Sequence, residues 1–376
     1  MDNTAPAGSY TLSNTGIVTS GTVTITVTGT DSNSGMKQIT KPDNTVSAGA
    51  STTYAVSKNG TYTFVLADNA GNTAAYTVTV NNIFTTSFNY IMAIPANNLN
   101  YTIDLPVTGM PAGTTFTYNF LADWGDGKTS TVTSQASAAK THAYAAAGNY
   151  TVKIYGIAQG GIRFTNEARL KQLLNQYPSA MNVTQTDFTD FFDCLTVSSG
   201  LTGSIPAGLF DYTPNAASFN STFKGCSGLT GAIPAGLFNN TPNVTNFNIT
   251  FSECSGLTSI PAGLFDKTTA VTSFYATFDC CSGLTSIPAG LFNNTPNVTT
   301  FYDTFGGCSG LTSIPAGLFD KTLKVTNFGC TFAYCSKLTG TAPTLWTRTT
   351  AGLSGSMCFT SCTKLTNYAS IPAGWK

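Results

Sequence analysis

The chain has 376 residues with 17 basic and 17 acidic side chains, so its formal net charge is zero. Charged residues make up only 9% of it, against about a quarter in ordinary soluble proteins. The sequence shows no basic patch of the kind that nucleic acid requires and no apolar run near the roughly 18 residues of a membrane span. Nucleic-acid binding and membrane-spanning helices are therefore excluded at the level of sequence.

The N terminus begins Met1-Asp-Asn-Thr-Ala-Pro and shows no signal-peptide pattern. Two interpretations stay open. The chain is either a piece of a longer exported protein with an added start, or a protein assembled in the cytoplasm, as phage parts are.

Residues 1–83 alternate apolar and polar side chains with period two, as in Val23-Thr-Ile-Thr-Val-Thr, which predicts strands. Turn clusters at Asp31-Ser-Asn-Ser-Gly and Asp68-Asn-Ala-Gly-Asn separate these strands and favour a β-sandwich. With the opening Asn3-Thr-Ala-Pro, this set of turns resembles bacterial immunoglobulin-like domains.

Residues 84–157 form a second predicted β unit. It contains Ala122-Asp-Trp-Gly-Asp-Gly, then Thr141-His-Ala-Tyr, then Gly148-Asn-Tyr-Thr-Val-Lys-Ile. The order and spacing of these segments resemble the PKD type of immunoglobulin-like domain, which implies another sandwich used as a spacer.

Residues 158–193 contain the strongest helical pattern of the chain, Thr165 to Pro178. Thr165 or Asn166 can cap its start and Pro178 can end it. An apolar stripe follows helical spacing, and it consists of Leu170, Leu173, Leu174 and Tyr177. The segment is predicted to be a helical cap and linker.

Residues 194–376 consist of near-identical units of 27–28 residues. The phrase Cys-Ser-Gly-Leu-Thr, or a close variant, recurs at steps of 28, 27, 27, 27 and 27 residues. A fixed period in this range predicts repeats that stack and share one core, because a single unit cannot bury its apolar face alone. The recurring cysteines are Cys226, Cys254, Cys281, Cys308, Cys335 and Cys362.

The repeats resemble the BspA-like leucine-rich repeats of bacterial surface proteins. The resemblance lies in the phrases Val-Thr-x-Phe, Thr-Phe-x-x-Cys-Ser-Gly-Leu-Thr-Ser-Ile-Pro and Gly-Leu-Phe-Asp. It implies a leucine-rich solenoid, with Leu-Thr-Ser-Ile favoured as its strand. The unit is longer than the common bacterial pattern and carries Phe where Leu or Met is usual.

A cysteine that recurs once per repeat predicts a buried ladder of reduced thiols, since free cysteine packs as a small apolar residue with a weak donor. A disulfide framework is the alternative. Four further cysteines lie outside the ladder and leave one bridge open as an alternative: Cys194, Cys280, Cys330 and Cys358.

Chemistry-bearing residues are few. His142 is the one histidine, so no catalytic pair is assembled around it, and no catalytic residue or cofactor is predicted. Asp123 and Asp126 are the best paired carboxylates for calcium, although hydrogen bonds to their own turn are favoured for them and equally for Asp31 and Asp68.

Variation between repeats concentrates just after the first Phe of each unit. The candidate ligand-binding residues there are Asn248, Tyr275, Tyr302 and Asp303. The competing interpretation is drift at exposed positions of a rigid stalk.

The predicted fold is mainly β: two β-sandwich domains, a helical cap and a leucine-rich solenoid. The predicted function is non-enzymatic adhesion at a bacterial cell surface, in which the solenoid binds a host or neighbouring-cell protein or glycan. The alternative is a phage virion component such as a tail fibre, a receptor-binding protein or a capsid decoration protein. The oligomeric state stays open, a homo-oligomeric fibre included.

Overall fold

The computed structural model describes residues 2–108, 115–165, 167–194 and 200–376. Met1 and the predicted capping residue Asn166 lie outside them. The chain forms two compact units that meet in sequence between Ser87 and Phe88. Within the described ranges the regular structure is mainly strand, arranged in several sheets, which confirms the mainly β prediction.

The N-terminal unit contains seven strands in two sheets. The strands are β1 (Ala7–Leu12), β2 (Val23–Thr30), β3 (Met36–Thr40), β4 (Val46–Ala48), β5 (Ser51–Val56), β6 (Gly60–Asp68) and β7 (Thr73–Val80). One sheet has the order β1-β2-β5 and the other β4-β3-β6-β7, with antiparallel pairing throughout.

Alternation along these strands builds the core of the N-terminal unit. Val23, Ile25 and Val27 of β2 are buried while the threonines between them are only partly covered. Phe64 and Leu66 of β6 supply the opposite side of the same apolar cluster. The two sheets therefore pack face to face, as period-two strands with one apolar face require.

The second unit begins with seven more strands, β8 (Phe88–Ile94), β9 (Asn100–Thr102), β10 (Tyr118–Asp123), β11 (Thr129–Val132), β12 (Thr141–Ala143), β13 (Gly148–Ala158) and β14 (Leu170–Leu173). Five form an antiparallel sheet in the order β11-β10-β13-β8-β14, and β9 pairs with β12. The buried side chains of this sheet continue into the core of the repeats as one apolar cluster.

The predicted helix after Thr165 is wrong. Leu170–Leu173 instead forms β14, which pairs antiparallel with β8. Leu170 and Leu173 are buried, but Leu174 of the predicted stripe is 41% exposed. Pairing with an open sheet edge outweighs the local helical pattern of the segment, as tertiary context often does.

Helix in the described residues is limited to short 3-10 segments. These are Ala138–Lys140, Ser179–Met181, Leu345–Thr347, Tyr368–Ser370 and Ala373–Trp375.

Residues 200–376, here called the repeat stack, place equivalent positions of successive repeats side by side. Parallel bridges connect Ser218, Asn246, Ser273, Thr300, Asn327 and Ser354 in turn. Phe274 lies between Phe247 and Phe301, with ring centroids 5.9 and 5.7 Å apart and planes within 7°. Two more phenylalanine columns run beside this one, through Phe278 and Phe292.

The predicted leucine-rich solenoid is not what the structure shows. Among the described repeat residues, regular strand is limited to β15 (Gly231–Ala232) and β16 (Leu257–Ser259). Two residues four positions apart have left-handed backbone in each repeat, for example Ile249 at φ 57° and Glu253 at φ 62°. Such residues interrupt both an extended strand and a right-handed helix, so each repeat is built mainly from turns.

The C-terminal end of the repeat stack is covered by tryptophan. The backbone oxygen of Trp375 accepts the Phe359 amide at 2.8 Å, and the Trp375 ring lies 6.2 Å from that of Trp346. The exposed apolar end that an open stack would leave is thereby covered.

Candidate functional site

The clearest surface feature of the repeat stack is a pair of tyrosines in adjacent repeats. The rings of Tyr275 and Tyr302 lie parallel, with centroids 5.5 Å apart and planes at 8°. A Cβ atom at Gly329 would approach the Tyr302 ring to 2.9 Å, so the Tyr302 ring lies directly against that glycine. Both faces of Tyr302 are therefore covered, whereas Tyr275 is 41% exposed.

The other two candidate residues flank this pair. The Asn248 side-chain oxygen accepts a hydrogen bond from the Ser273 hydroxyl at 2.6 Å, which holds Asn248 in the repeat before Tyr275. Asp303 follows Tyr302 and has left-handed backbone at φ 58°, and its carboxylate occupies the space that a side chain at Gly306 would take. The structure thus places all four predicted ligand-binding residues in three consecutive repeats.

Two acidic residues that sequence reasoning missed lie in the same repeats, near the Cys280 thiol. The pKa of Cys280, an exposed thiol, is raised to about 12 by partial burial and by the hydrogen bond and charge of Asp279, and Glu253 and Asp303 act in the same direction. The charges of three carboxylates therefore raise the pKa of the same thiol. We call Asn248, Glu253, Tyr275, Asp279, Tyr302 and Asp303 the tyrosine face.

The three segments that carry these carboxylates, residues 245–256, 272–283 and 299–310, contain no positively charged side chain. Burial and the charge of Asp279 raise the pKa of Asp303 to about 6. A carboxylate with this environment is stabilised by any cation that approaches it.

The ladder cysteines lie inside the repeat stack. All six are fully buried, and each thiol donates a hydrogen bond to a phenylalanine carbonyl of the preceding repeat, as Cys281 does to Phe251 at 2.9 Å. Burial raises the pKa of Cys281, so the thiol keeps the proton that this bond needs. The six ladder cysteines are free thiols, and so are Cys280, Cys330 and Cys358.

A threonine column that sequence reasoning missed has the same role. Thr277 is fully buried, and its hydroxyl donates to the Phe247 carbonyl of the preceding repeat at 2.9 Å. The recurring phrase Thr-Phe-x-x-Cys therefore supplies two side-chain donors per repeat, one from its first residue and one from its last.

The carboxylates first considered for calcium bind within their own turn. Asp123 accepts the Gly125 amide at 3.0 Å, and Asp126 accepts the Lys128 amide at 3.1 Å and contacts His142 Nε2 at 2.8 Å. Burial alone would raise the pKa of Asp126, but the hydrogen bonds from His142 and Lys128 outweigh it and lower the pKa.

His142 is held on its other side as well. Its ring stacks on that of Trp124, with centroids 5.0 Å apart and planes at 13°. The histidine is thus part of a packed turn, with its Nε2 atom engaged by Asp126.

A different group of acidic residues converges in the N-terminal unit. Asp2, Asp31 and Asp68 each offer a ligand atom, and these atoms lie within 4.8 Å of one another. Asp68 is fully buried, and one Asp2 oxygen is buried without a hydrogen-bond partner. Among the described residues this group is the best placed to hold a cation, and its all-oxygen donors fit calcium.

Hydrogen bonds orient the members of this group. Asp31 accepts the amides of Ser34 at 2.7 Å and Gly35 at 2.9 Å. Burial would raise the pKa of Asp68, but two hydrogen bonds from Asn72 outweigh it and lower the pKa, which keeps the carboxylate ionised. Sequence reasoning gave Asp31 and Asp68 only the turn-forming role, because their approach to Asp2 depends on how the sheets pair.

The part of the chain that the structure describes contains no helix long and apolar enough to cross a bilayer.

Comparison with known proteins gives little. No family model matches the chain, and no curated protein is similar to it. A solved carbohydrate-binding module of the β-sandwich superfamily aligns with 43% of this chain and 98% of its own, at 12% identity and a TM-score of 0.20. A similarity this weak supports no conclusion about ligand.

The resemblance to BspA-like surface proteins, with immunoglobulin-like and PKD-like domains ahead of the repeats, is therefore wrong. No family model supports any of the three parts. The phrases that carried the resemblance recur for another physical reason, because Thr, Cys and Phe at fixed positions build the columns of hydrogen bonds and rings described above.

Proposed function

We propose that the protein is a non-enzymatic binding protein that acts outside a bacterial cell, and that its repeat stack recognises a protein or glycan through the tyrosine face. The Tyr275–Tyr302 pair is the observation that carries this proposal. Exposed tyrosines are favoured at recognition surfaces, since they offer a large rigid contact at a small loss of side-chain entropy.

The tyrosines are not needed to build the repeat. The equivalent position holds Asn220 and Asn248 in earlier repeats and Gly329 in a later one, and these repeats stack in the same way. An aromatic pair at a position that tolerates small polar residues supports a role in contact with a ligand.

The chemistry of the chain supports a binding role over catalysis. Its one histidine is packed on Trp124 and bonded to Asp126, and the ladder thiols are buried and protonated. The neutral, Thr- and Asn-rich composition favours an extracellular setting, with the N-terminal unit as a spacer.

The test is a binding screen of the full chain on arrays of extracellular-matrix proteins and glycans. The double variant Tyr275→Asn, Tyr302→Asn installs the residue that two neighbouring repeats already carry, so the repeat stack should fold. We expect specific binding by the unaltered chain and its loss in the double variant.

Tyr212→Asn is the matched control. Tyr212 is 44% exposed, and the equivalent position in the next repeat is Asn240. This variant should bind as the unaltered chain does. Equal binding by the double variant, or no binding by the unaltered chain, would contradict the proposal.

A further inference from the structure

A cysteine just before the repeat stack and the first ladder cysteine bring their sulfur atoms together. The Cys226 sulfur lies 3.1 Å from the Cys194 sulfur. Both thiols are also within hydrogen-bond distance of the carbonyl oxygen of Phe192, at 2.9 Å for Cys226 and 3.2 Å for Cys194. Both residues are buried. A single backbone oxygen therefore holds the two sulfur atoms side by side in the interior.

The backbone fixes this approach. Residues 188–194 run beside residues 218–224, and alternate amides of the first segment donate to carbonyl oxygens of the second. At the end of this pairing the Cys194 amide donates to the Lys224 carbonyl at 2.8 Å. Cys194 thus lies opposite Lys224, two residues before Cys226, and its side chain crosses this offset to reach the Cys226 sulfur.

Successive cysteines of the ladder are placed differently. They occupy equivalent positions of neighbouring repeats, and adjacent parallel chains hold equivalent positions about 4.8 Å apart. Their thiols donate to carbonyl oxygens, as Cys254 does to Phe223 at 3.0 Å. The S–S bond of a disulfide is about 2.0 Å long, so Cys194 and Cys226 need to approach by only about 1 Å to form one.

We propose that Cys194 and Cys226 form a disulfide in an oxidising setting, and that this bond fastens residues 188–194 to the first repeat of the stack. The bond forms by exchange with a small disulfide such as oxidised glutathione. One protein thiolate attacks that disulfide and releases one glutathione thiol, and the other thiolate then attacks the mixed disulfide and releases the second. Two protein thiols are oxidised, one glutathione disulfide is reduced, and the two protons pass to the released glutathione.

The folded chain controls when this exchange occurs. Burial and the neighbouring Cys194 raise the pKa of Cys226, so its thiol stays protonated while the segment is packed. The thiolate is the attacking form, so exchange requires local opening of the chain. Once formed, the bond closes a loop over residues 194–226 and stabilises the fold chiefly by constraining the unfolded state. The inference goes beyond the proposed function, because it concerns the start of the repeat stack and not the tyrosine face.

The experiment equilibrates the full chain with equal concentrations of reduced and oxidised glutathione, in urea just below its unfolding transition, and then alkylates the remaining thiols. Trypsin cleaves after Lys224, between the two cysteines. We expect mass spectrometry of the unreduced digest to find residues 172–224 linked to residues 225–267, and a thiol titration to show the loss of two thiols. Reduction should then lower the thermal midpoint of the second unit by about 4 °C or more.

Variants locate the bond. Cys254→Ser is the matched control, because it removes the next ladder thiol and leaves Cys226 as the one cysteine of residues 225–267. This variant should give the same linked peptides and the same response to reduction. Cys194→Ser should give no linked peptides, and its thermal midpoint should not respond to reduction.

Three results overturn the inference. The first is an unaltered chain that keeps all its thiols in the glutathione buffer. The second is a link between successive ladder cysteines in place of the Cys194–Cys226 bond. The third is an oxidised chain whose thermal midpoint does not change on reduction, since the bond would then fasten nothing.

Discussion

The N-terminal unit and the repeat stack satisfy their backbone hydrogen bonds in different ways. In the N-terminal unit antiparallel strands pair residue by residue, as β6 and β7 do from Gly60↔Val80 to Ala67↔Thr73. In the repeat stack alternate amides reach the next repeat, as Ile249 does to Tyr275 at 2.8 Å, while inward-facing carbonyls are met by threonine and cysteine side chains.

This difference determines which residues each region needs. A paired strand only requires an apolar residue on its buried face, so its backbone pairing does not depend on the hydroxyl groups of the threonines between Val23, Ile25 and Val27. A repeat bent by left-handed residues leaves buried carbonyls, and an unmet buried carbonyl is costly. The Thr and Cys positions of the repeats are therefore chemically constrained where strand threonines are not.

Removing a central phenylalanine ring of the repeat stack should cause the largest loss of stability. Phe274→Ala should destabilise the stack by about 3–5 kcal/mol, because the ring is fully buried between two others and leaves a cavity. Differential scanning calorimetry should show the loss in one transition. Phe64→Ala in the N-terminal unit is the control and should lower the other transition. Both variants shifting both transitions would contradict two separate units.

Calcium should also distinguish the two regions, but here the region whose stability changes is the N-terminal unit. At a concentration well above its dissociation constant, calcium should stabilise the N-terminal unit by about 2 kcal/mol and leave the repeat stack unchanged. Asp68→Asn should abolish this gain because it removes one of the three converging carboxylates. Asp123→Asn, in the other acidic turn, should keep it. Thermal unfolding with calcium and with a chelator measures the difference, and an equal gain in Asp68→Asn would exclude this site.

The two kinds of threonine provide a direct test of the comparison. Thr277→Val keeps the side-chain shape but removes the hydrogen bond from its buried hydroxyl to the Phe247 carbonyl, which then keeps only the donors of Thr250, so it should lower the free energy of unfolding by about 1 kcal/mol. Thr63→Val on the exposed side of β6 should change stability by less than about 0.5 kcal/mol. Urea unfolding of both variants measures the difference. Similar values for the two would mean that the threonine column is not a structural requirement.

Much of the fold follows from sequence where neighbours are set by repetition. Because Phe247, Phe274 and Phe301 occupy one position of near-identical units, stacking brings them together whatever the backbone path. The strand of β2 was likewise predictable from strict alternation.

The remainder depended on features that sequence does not display. The left-handed position is held by Ile249, Ala276 and Asp303 in successive repeats, and neither isoleucine nor alanine signals that conformation. β14 forms because an edge of β8 is open, which no local pattern reveals. Of the candidate site, the tyrosines were found as variable positions, whereas Asp279 and Glu253 were recognisable only once their repeats lay side by side.

The smallest change in stability should come from replacing Asp303. The sign of this change tests the charge environment of the tyrosine face. The folded chain raises the pKa of Asp303 from 3.8 to about 6, so the folded state binds this proton more tightly than the unfolded state does. Its contribution to stability is present below about pH 4 and is lost as the pH rises through 6.

The free energy of unfolding of Asp303→Asn should therefore equal that of the unaltered chain near pH 4. At pH 7 it should be larger by on the order of 1 kcal/mol, a value reduced for the partial exposure of the group. Asparagine tolerates the left-handed backbone at this position. Asp126→Asn should have the opposite sign at pH 7, because the pKa of Asp126 is lowered in the folded chain. Urea midpoints at both pH values measure this, and a less stable Asp303→Asn at pH 7 would show that a cation of the chain already neutralises this carboxylate.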